Sequence, residues 1–280
     1  MAKGASRRHV GLAGVLLRGA YDDSSLTADQ KATLDKLEDG LYADPTSTPW
    51  AAHKAFQTDL VSFIRASKVD SAKLTADYAA IDKAVTAGQG READALNGLH
   101  AALDATQRQA LVDQVKARRA AREARERPQV GPDGGAPDWT KRRLDRLTLE
   151  LTLDDTQKKA VAALLARDTT MTPASMQARK DAAQKRVDTL LTEFAKDTFD
   201  AKKVDTTTGG KTPHDGAERN ATFTTGLIAI LHPDQREKLA VRTERMGSRP
   251  GRSFEDVDTS MGNGVDEEQP MPMGPRMPPR

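Results

Sequence analysis

LTADQKATL (residues 26–34) returns three times, as LDATQRQAL from Leu103, LDDTQKKAV from Leu153 and LHPDQREKL from Leu231. Every copy has Leu first, Gln fifth, Lys or Arg sixth and Leu or Val ninth. Thr27, Asp104 and Asp154 are good helix N-caps, and Gln30, Gln107 and Gln157 stand three residues after them. That spacing predicts a capping box: the cap side chain accepts a backbone N–H, and Gln reaches back to the cap's own N–H. In the fourth copy His232 is a poor cap, but Pro233 suits the first helical position and Gln235 keeps its place. The leading leucines Leu26, Leu103, Leu153 and Leu231 lie just outside each helix, free to pack on the ninth residue or on a neighbour. The usual staple partner is basic here, so a strict hydrophobic staple fails. The motif therefore reads as structural, and none of its residues as catalytic.

The repeat extends beyond nine residues. Gln30 and Gln107 are 77 positions apart, and Gln157 and Gln235 are 78 apart. Between them LVSFIRASKVD (60–70) aligns without gaps to LLTEFAKDTFD (190–200), and Thr48-Pro49 and Thr172-Pro173 open the preceding helices. The chain is thus two copies of one unit. Residues 1–127 form the first unit, 128–137 (PQVGPDGGAP) a Pro/Gly linker, 138–246 the second unit, and 247–280 a tail too poor in apolar residues to fold. Spacings of three and four in Trp50, Phe56, Leu60, Phe63 and Ile64, and in Val187, Leu190, Leu191 and Phe194, predict helices, with no alternating strand. Gly88–Gly90 and Gly209–Gly210 are expected to break the helices between motifs. Val10, Val15, Leu16, Leu17 and Tyr21 are expected to form one face of a short amphipathic helix. Arg18 and the lack of a cleavage site argue against a secretion signal there.

Composition limits function. Charged residues make up 30% and aromatics 4%, which describes an open helical protein with a thin core. A net charge of only +2 excludes the global basic field of nucleic-acid proteins. The basic run KARRAAREARER (116–127) has no aromatic stacking platform beside it. With no Cys, disulfides and thiolate sites are excluded, and no apolar run is long enough to span a membrane. The five His (His9, His53, His100, His214 and His232) form no i, i+4 pair, so no metal site or cofactor is expected. DTTTGGKT (205–212) resembles the end of a phosphate-binding loop but lacks the first Gly and follows a helix. MPMGPRM (271–277) offers thioethers to a soft ion, yet reads more simply as low-complexity tail.

The set Leu26-Thr27-Gln30, Leu103-Asp104-Gln107, Leu153-Asp154-Gln157 and Leu231-His232-Gln235 resembles the LTxxQ-motif family of Spy-like and CpxP-like bacterial envelope proteins. Only the first copy is a literal LTxxQ. The resemblance implies an all-α cradle of long helices, built in the family by an antiparallel dimer, with a cationic and partly apolar concave face. Here two units share one chain, which implies an intramolecular pseudo-dimer, as a monomer or further paired as a homodimer. The implied function is non-enzymatic: ATP-independent binding of unfolded or partly folded clients in the periplasm. The alternative is a CpxP-like stress regulator, or a metal-sensing protein, acting on a two-component sensor kinase. Expected client-binding residues on the inner face are Phe56, Phe63, Arg65, Lys68, Phe194, Lys196 and Phe199. Charge would speed capture, and Lys and Arg stems would add adaptable contact area.

Overall fold

The computed structural model describes residues 11–22, 25–43, 48–125, 139–167, 172–204 and 213–247. Among them are ten helices and no strand, so the chain is all-α. The first half contributes α1 (Leu12–Tyr21), α2 (Ala28–Leu41), α3 (Pro49–Ala66), α4 (Ser71–Ala102) and α5 (Ala105–Arg125). The second contributes α6 (Trp139–Leu151), α7 (Asp155–Ala166), α8 (Pro173–Phe194), α9 (Pro213–Ile230) and α10 (Pro233–Gly247). The two sets of five correspond in order. The linker 128–137, the Gly209–Gly210 loop and residues 248–280 lie outside the described residues, as does Val10.

Local chemistry sets the helix starts. Thr48 Oγ1 accepts from Ala51 N at 3.1 Å, Thr172 Oγ1 accepts from Ser175 N at 3.1 Å, and each Thr precedes a proline at the first helical position. α4 starts on an Asp70 cap and runs for 32 residues. It passes unbroken through Gly88 and Gly90, against expectation. Each helical glycine costs about 1 kcal/mol relative to Ala, and the packing of Ile81, Ala84, Ala93 and Leu96 outweighs that. α1 also differs in detail: its buried residues are Ala13, Gly14, Leu16, Leu17, Gly19 and Ala20, while Val15 turns outward at 46% exposure.

The halves are not separate globules. Their cores exchange helices. Leu190, Leu191 and Phe194 of α8, with Ala201 beyond it, complete a core otherwise built from α1, α2, α4 and α5. Reciprocally, Val61 and Ile64 of α3 enter the core of α6, α7, α9 and α10. These are matched positions of the repeat: Val61 aligns with Leu191, and Ile64 with Phe194. A third cluster, Phe56, Leu60, Phe63, Ile81, Ala217 and Ala221, joins α3 and α4 to the start of α9. α8 is thus packed into the first half, while α3 is shared between α4 of its own half and the helices of the second, and burial of each large side chain contributes about 1.5–3 kcal/mol.

Two glycines hold matched close contacts. A Cβ at Gly226 of α9 would lie 2.7 Å from Leu164 Cδ1 of α7, and one at Gly98 of α4 would overlap Leu37 of α2. Both sites need the missing side chain for helix–helix approach.

Candidate functional site

The four motifs meet in two pairs. All four capping glutamines close back on their own cap residues: Gln30 Oε1 accepts from Thr27 N at 2.9 Å, and Gln107, Gln157 and Gln235 accept likewise from Asp104 N, Asp154 N and His232 N. The Thr27, Asp104 and Asp154 side chains complete the boxes by accepting the backbone N–H of the same glutamines.

The amides then bind one another across the unit. Gln30 Nε2 donates to Gln107 Oε1 at 2.8 Å, and Gln157 Nε2 donates to Gln235 Oε1 at 2.7 Å. The return bonds are 3.4 Å from Gln107 and 2.9 Å from Gln235. Spare donors reach equivalent places: Gln30 to the Ala102 carbonyl, Gln157 to the Ile230 carbonyl, Gln107 to Ser25 Oγ and Gln235 to the Thr152 carbonyl. Thr152 holds φ 57, a left-handed turn ending α6. Gln157 and Gln235 are buried and Gln30 and Gln107 half-buried, so the second node is the drier. A fully paired amide network in low dielectric stiffens its surroundings.

The hydrophobic frame of the motif is equally regular. Leu26, Leu103, Leu153 and Leu231 are buried, as are the ninth residues Leu34, Leu111, Val161 and Leu239. The basic sixth residue has a role that spacing did not reveal. Arg108 Nη1 donates to the Leu103 carbonyl and Arg236 Nη1 to the Leu231 carbonyl, both at 2.8 Å. In the second and fourth copies, in place of a staple, these guanidinium groups tie the residue before the cap to the first turn, while Lys158 of the third pairs with Asp155.

The expected client-binding residues fall into two groups. Phe56, Phe63 and Phe194 are corrected to core: they are 0%, 6% and 0% exposed. Phe199 is half-buried, 5.3 Å centroid to centroid from both Phe194 and His100. Periodicity marked these rings as apolar but not which helix they face, and each joins a core shared between the halves. Arg65, Lys68 and Lys196 are on the surface. Arg65 is committed to α10, binding Glu237 through Nε and Nη2 and Glu244 through Nη1 at 2.7 Å. Lys196 Nζ contacts Glu193 at 2.6 Å, and its carbonyl accepts from His100 Nε2 at 2.8 Å.

The seam between halves also uses residues the sequence did not single out. Asn97 Oδ1 accepts from Ala201 N at 2.8 Å, Arg108 Nη2 reaches Asp197 at 3.2 Å, and Arg119 reaches Asp188 at 2.7 Å. On the opposite side His214 Nδ1 meets Asp82 Oδ2 at 2.8 Å. Of these, Asp188, Asp197 and Ala201 lie in or beside the aligned segment 190–200, while Asn97, Arg108, Arg119, Asp82 and His214 carry no spacing that marks them as seam residues.

Two shallow surface depressions lie along single faces of α5 and α8. One, about 430 Å³, is lined by Arg118, Ala121, Arg122 and Arg125. The other, about 610 Å³, is lined by polar side chains of α8, among them Asp181, Lys185, Asp188 and Glu193. The large apolar side chains exposed among the described residues are Val15, Trp50 and Leu149. No group of three His, Asp or Glu placed to hold a metal ion occurs among the described residues, and no helix there is long and apolar enough to cross a membrane. Compared with protein-family models, curated proteins and solved structures, the chain matches none.

Proposed function

We propose that this chain is an ATP-independent chaperone of the bacterial cell envelope that binds unfolded or partly folded proteins. One observation carries the reading. The fourfold motif forms two matched glutamine pairs, and the third helix of each half contributes side chains to the core of the other, in keeping with a Spy-like dimer fused into one polypeptide. With Phe56, Phe63 and Phe194 buried, client contact rests on charge and on the aliphatic stems of Arg side chains rather than on an aromatic patch. The open face of α5 bearing Arg118, Ala121, Arg122 and Arg125 supplies both, with Arg118 also paired to Asp22 at 2.7 Å.

The test is light scattering of a chemically denatured client diluted into the purified chain. The reading expects suppressed aggregation at equimolar ratio, weakened by salt, and weakened by replacing Arg118, Arg122 and Arg125 together with Glu. Unchanged aggregation at several-fold excess rejects it.

The scarcity of exposed large apolar side chains among the described residues favours a second reading, a CpxP-like regulator that docks by charge on the sensor domain of an envelope-stress kinase. Saturable binding to such a domain, with client aggregation unaffected, selects that reading over the first.

A further inference from the structure

We infer that His214 and Asp82 form a proton-operated latch between the two halves, tight when the imidazole is protonated and loosened when it is neutral. His214 stands in the first turn of α9 and Asp82 in α4, so their 2.8 Å contact crosses from one half to the other. The imidazole also stacks on Tyr78 of α4, with centroids 4.9 Å apart. Tyr78 packs on Phe56 at 6.1 Å, and Phe56 on His53 at 5.6 Å. A ladder of rings therefore runs from α9 through α4 to α3, over the cluster that includes Ile81, Ala217 and Ala221. Loosening its outer rung loosens the place where the second half is seated on the first.

The charges around the ladder set the direction. Facing His214 are Asp82 on α4 and Glu218 and Asp215 on its own helix. The bond to Asp82 is the main cause that holds its pKa above the ordinary histidine value, and the two further acids act the same way. A histidine raised on folding stabilises fully below its unfolded value of about 6.5, and that contribution disappears as pH rises through the folded value. Two further groups titrate lower. Asp77 is raised to about 6 by burial and then by Asp59, against the opposing effect of Lys73. Its contribution is lost from the ordinary aspartate range up to about 6. His53 is lowered to about 4 by burial, so its contribution grows from there to about 6.5. These two oppose each other below about pH 6.5, and the loss of stability with rising pH is the part assigned to His214.

The matching seam on the other side is built differently. There His100 packs on Phe194 and Phe199 and bonds to a backbone carbonyl rather than a carboxylate. Ion pairing to histidine thus marks one of the two seams. The latch would act in the same way in a chaperone and in a regulator.

The test uses the full chain, with His214→Gln and Asp82→Asn variants at these partly exposed positions and circular dichroism to check their fold. Imidazole NMR titration and amide exchange of residues 217–224 are followed from pH 5.5 to 8.5, correcting for intrinsic base catalysis. The wild type should lose about two- to fivefold in protection between pH 6 and 8, the size expected of a partly exposed ion pair. His214→Gln should be flat, and Asp82→Asn should lower the His214 titration midpoint. A flat wild-type profile, an equal loss in His214→Gln, or an unmoved midpoint in Asp82→Asn would each overturn the latch.

Discussion

Replacing Gln157 with Ala tests whether the motif is more than a set of helix caps. A cap alone is worth about 0.5–2 kcal/mol, and the Asp154 side chain would still accept the backbone N–H of residue 157. The substitution removes more than that. It deletes the bond from Asp154 N at 3.1 Å, the bond to the Ile230 carbonyl at 3.1 Å, and both bonds with Gln235, at 2.7 and 2.9 Å. Each net hydrogen bond contributes about 0.5–1.5 kcal/mol, and buried partners left unpaired add their desolvation. With Gln235 only 5% exposed, water cannot easily replace what is lost. The expected destabilisation is about 2–4 kcal/mol. Gln30→Ala should cost less, about 1–2 kcal/mol, because its node is wetter and its return bond is 3.4 Å long. The Gln157→Ala/Gln235→Ala double variant should fall short of additivity by about 1–2 kcal/mol, since either change alone already breaks the pair. Urea unfolding followed by circular dichroism reads the wild type, Gln30→Ala, Gln157→Ala, Gln235→Ala and the double variant through their midpoints at constant slope. The network reasoning fails if Gln157→Ala costs no more than Gln30→Ala, or if the double variant is additive.

Gly226→Ala should destabilise by about 1–3 kcal/mol despite alanine's helix preference, because its Cβ meets Leu164 at 2.7 Å, whereas Gly90→Ala, with nothing within 4 Å, should stabilise by up to about 1 kcal/mol; melting temperatures decide both. Phe194→Ala should cost about 3–5 kcal/mol, and amide exchange should place the damage in α4 and α5 of the first half rather than in α9. Asp77→Asn should remove the fall in stability that wild-type Asp77 contributes between about pH 4 and pH 6, read as a flatter urea midpoint against pH over that window; an unchanged profile would show that burial beside Asp59 has no energetic weight.

The local parts of this fold were open to sequence reading. The capping boxes of Thr27, Asp104 and Asp154 depend on residues three apart, and the helices entered through Thr48-Pro49 and Thr172-Pro173 start where those pairs predict. The alignment of 60–70 with 190–200 found the two segments that change places. It did not reveal the exchange, because a helical period says that Ile64 and Phe194 are buried and not against which helix. The same ambiguity let Phe56, Phe63 and Phe194 be expected on an open face. Gly88 and Gly90 misled for a different reason, since glycine in a helix is a cost of about 1 kcal/mol that neighbouring contacts can outweigh. The glutamine pairs were hidden although every member was named, because the pairing joins residues 77 and 78 positions apart.

The exchanged third helices carry a consequence for biosynthesis. A ribosome that has just released α5 has made a first half whose interior still lacks Leu190, Leu191, Phe194 and Ala201. Roughly 75 further residues must follow, about 4–15 s at ordinary elongation rates. During that interval the side chains of α1, α2, α4 and α5 that share this core wait without those four partners. The first half therefore passes through an adhesive stage of its own, whether the chain emerges from the ribosome or, if exported, from the translocation channel.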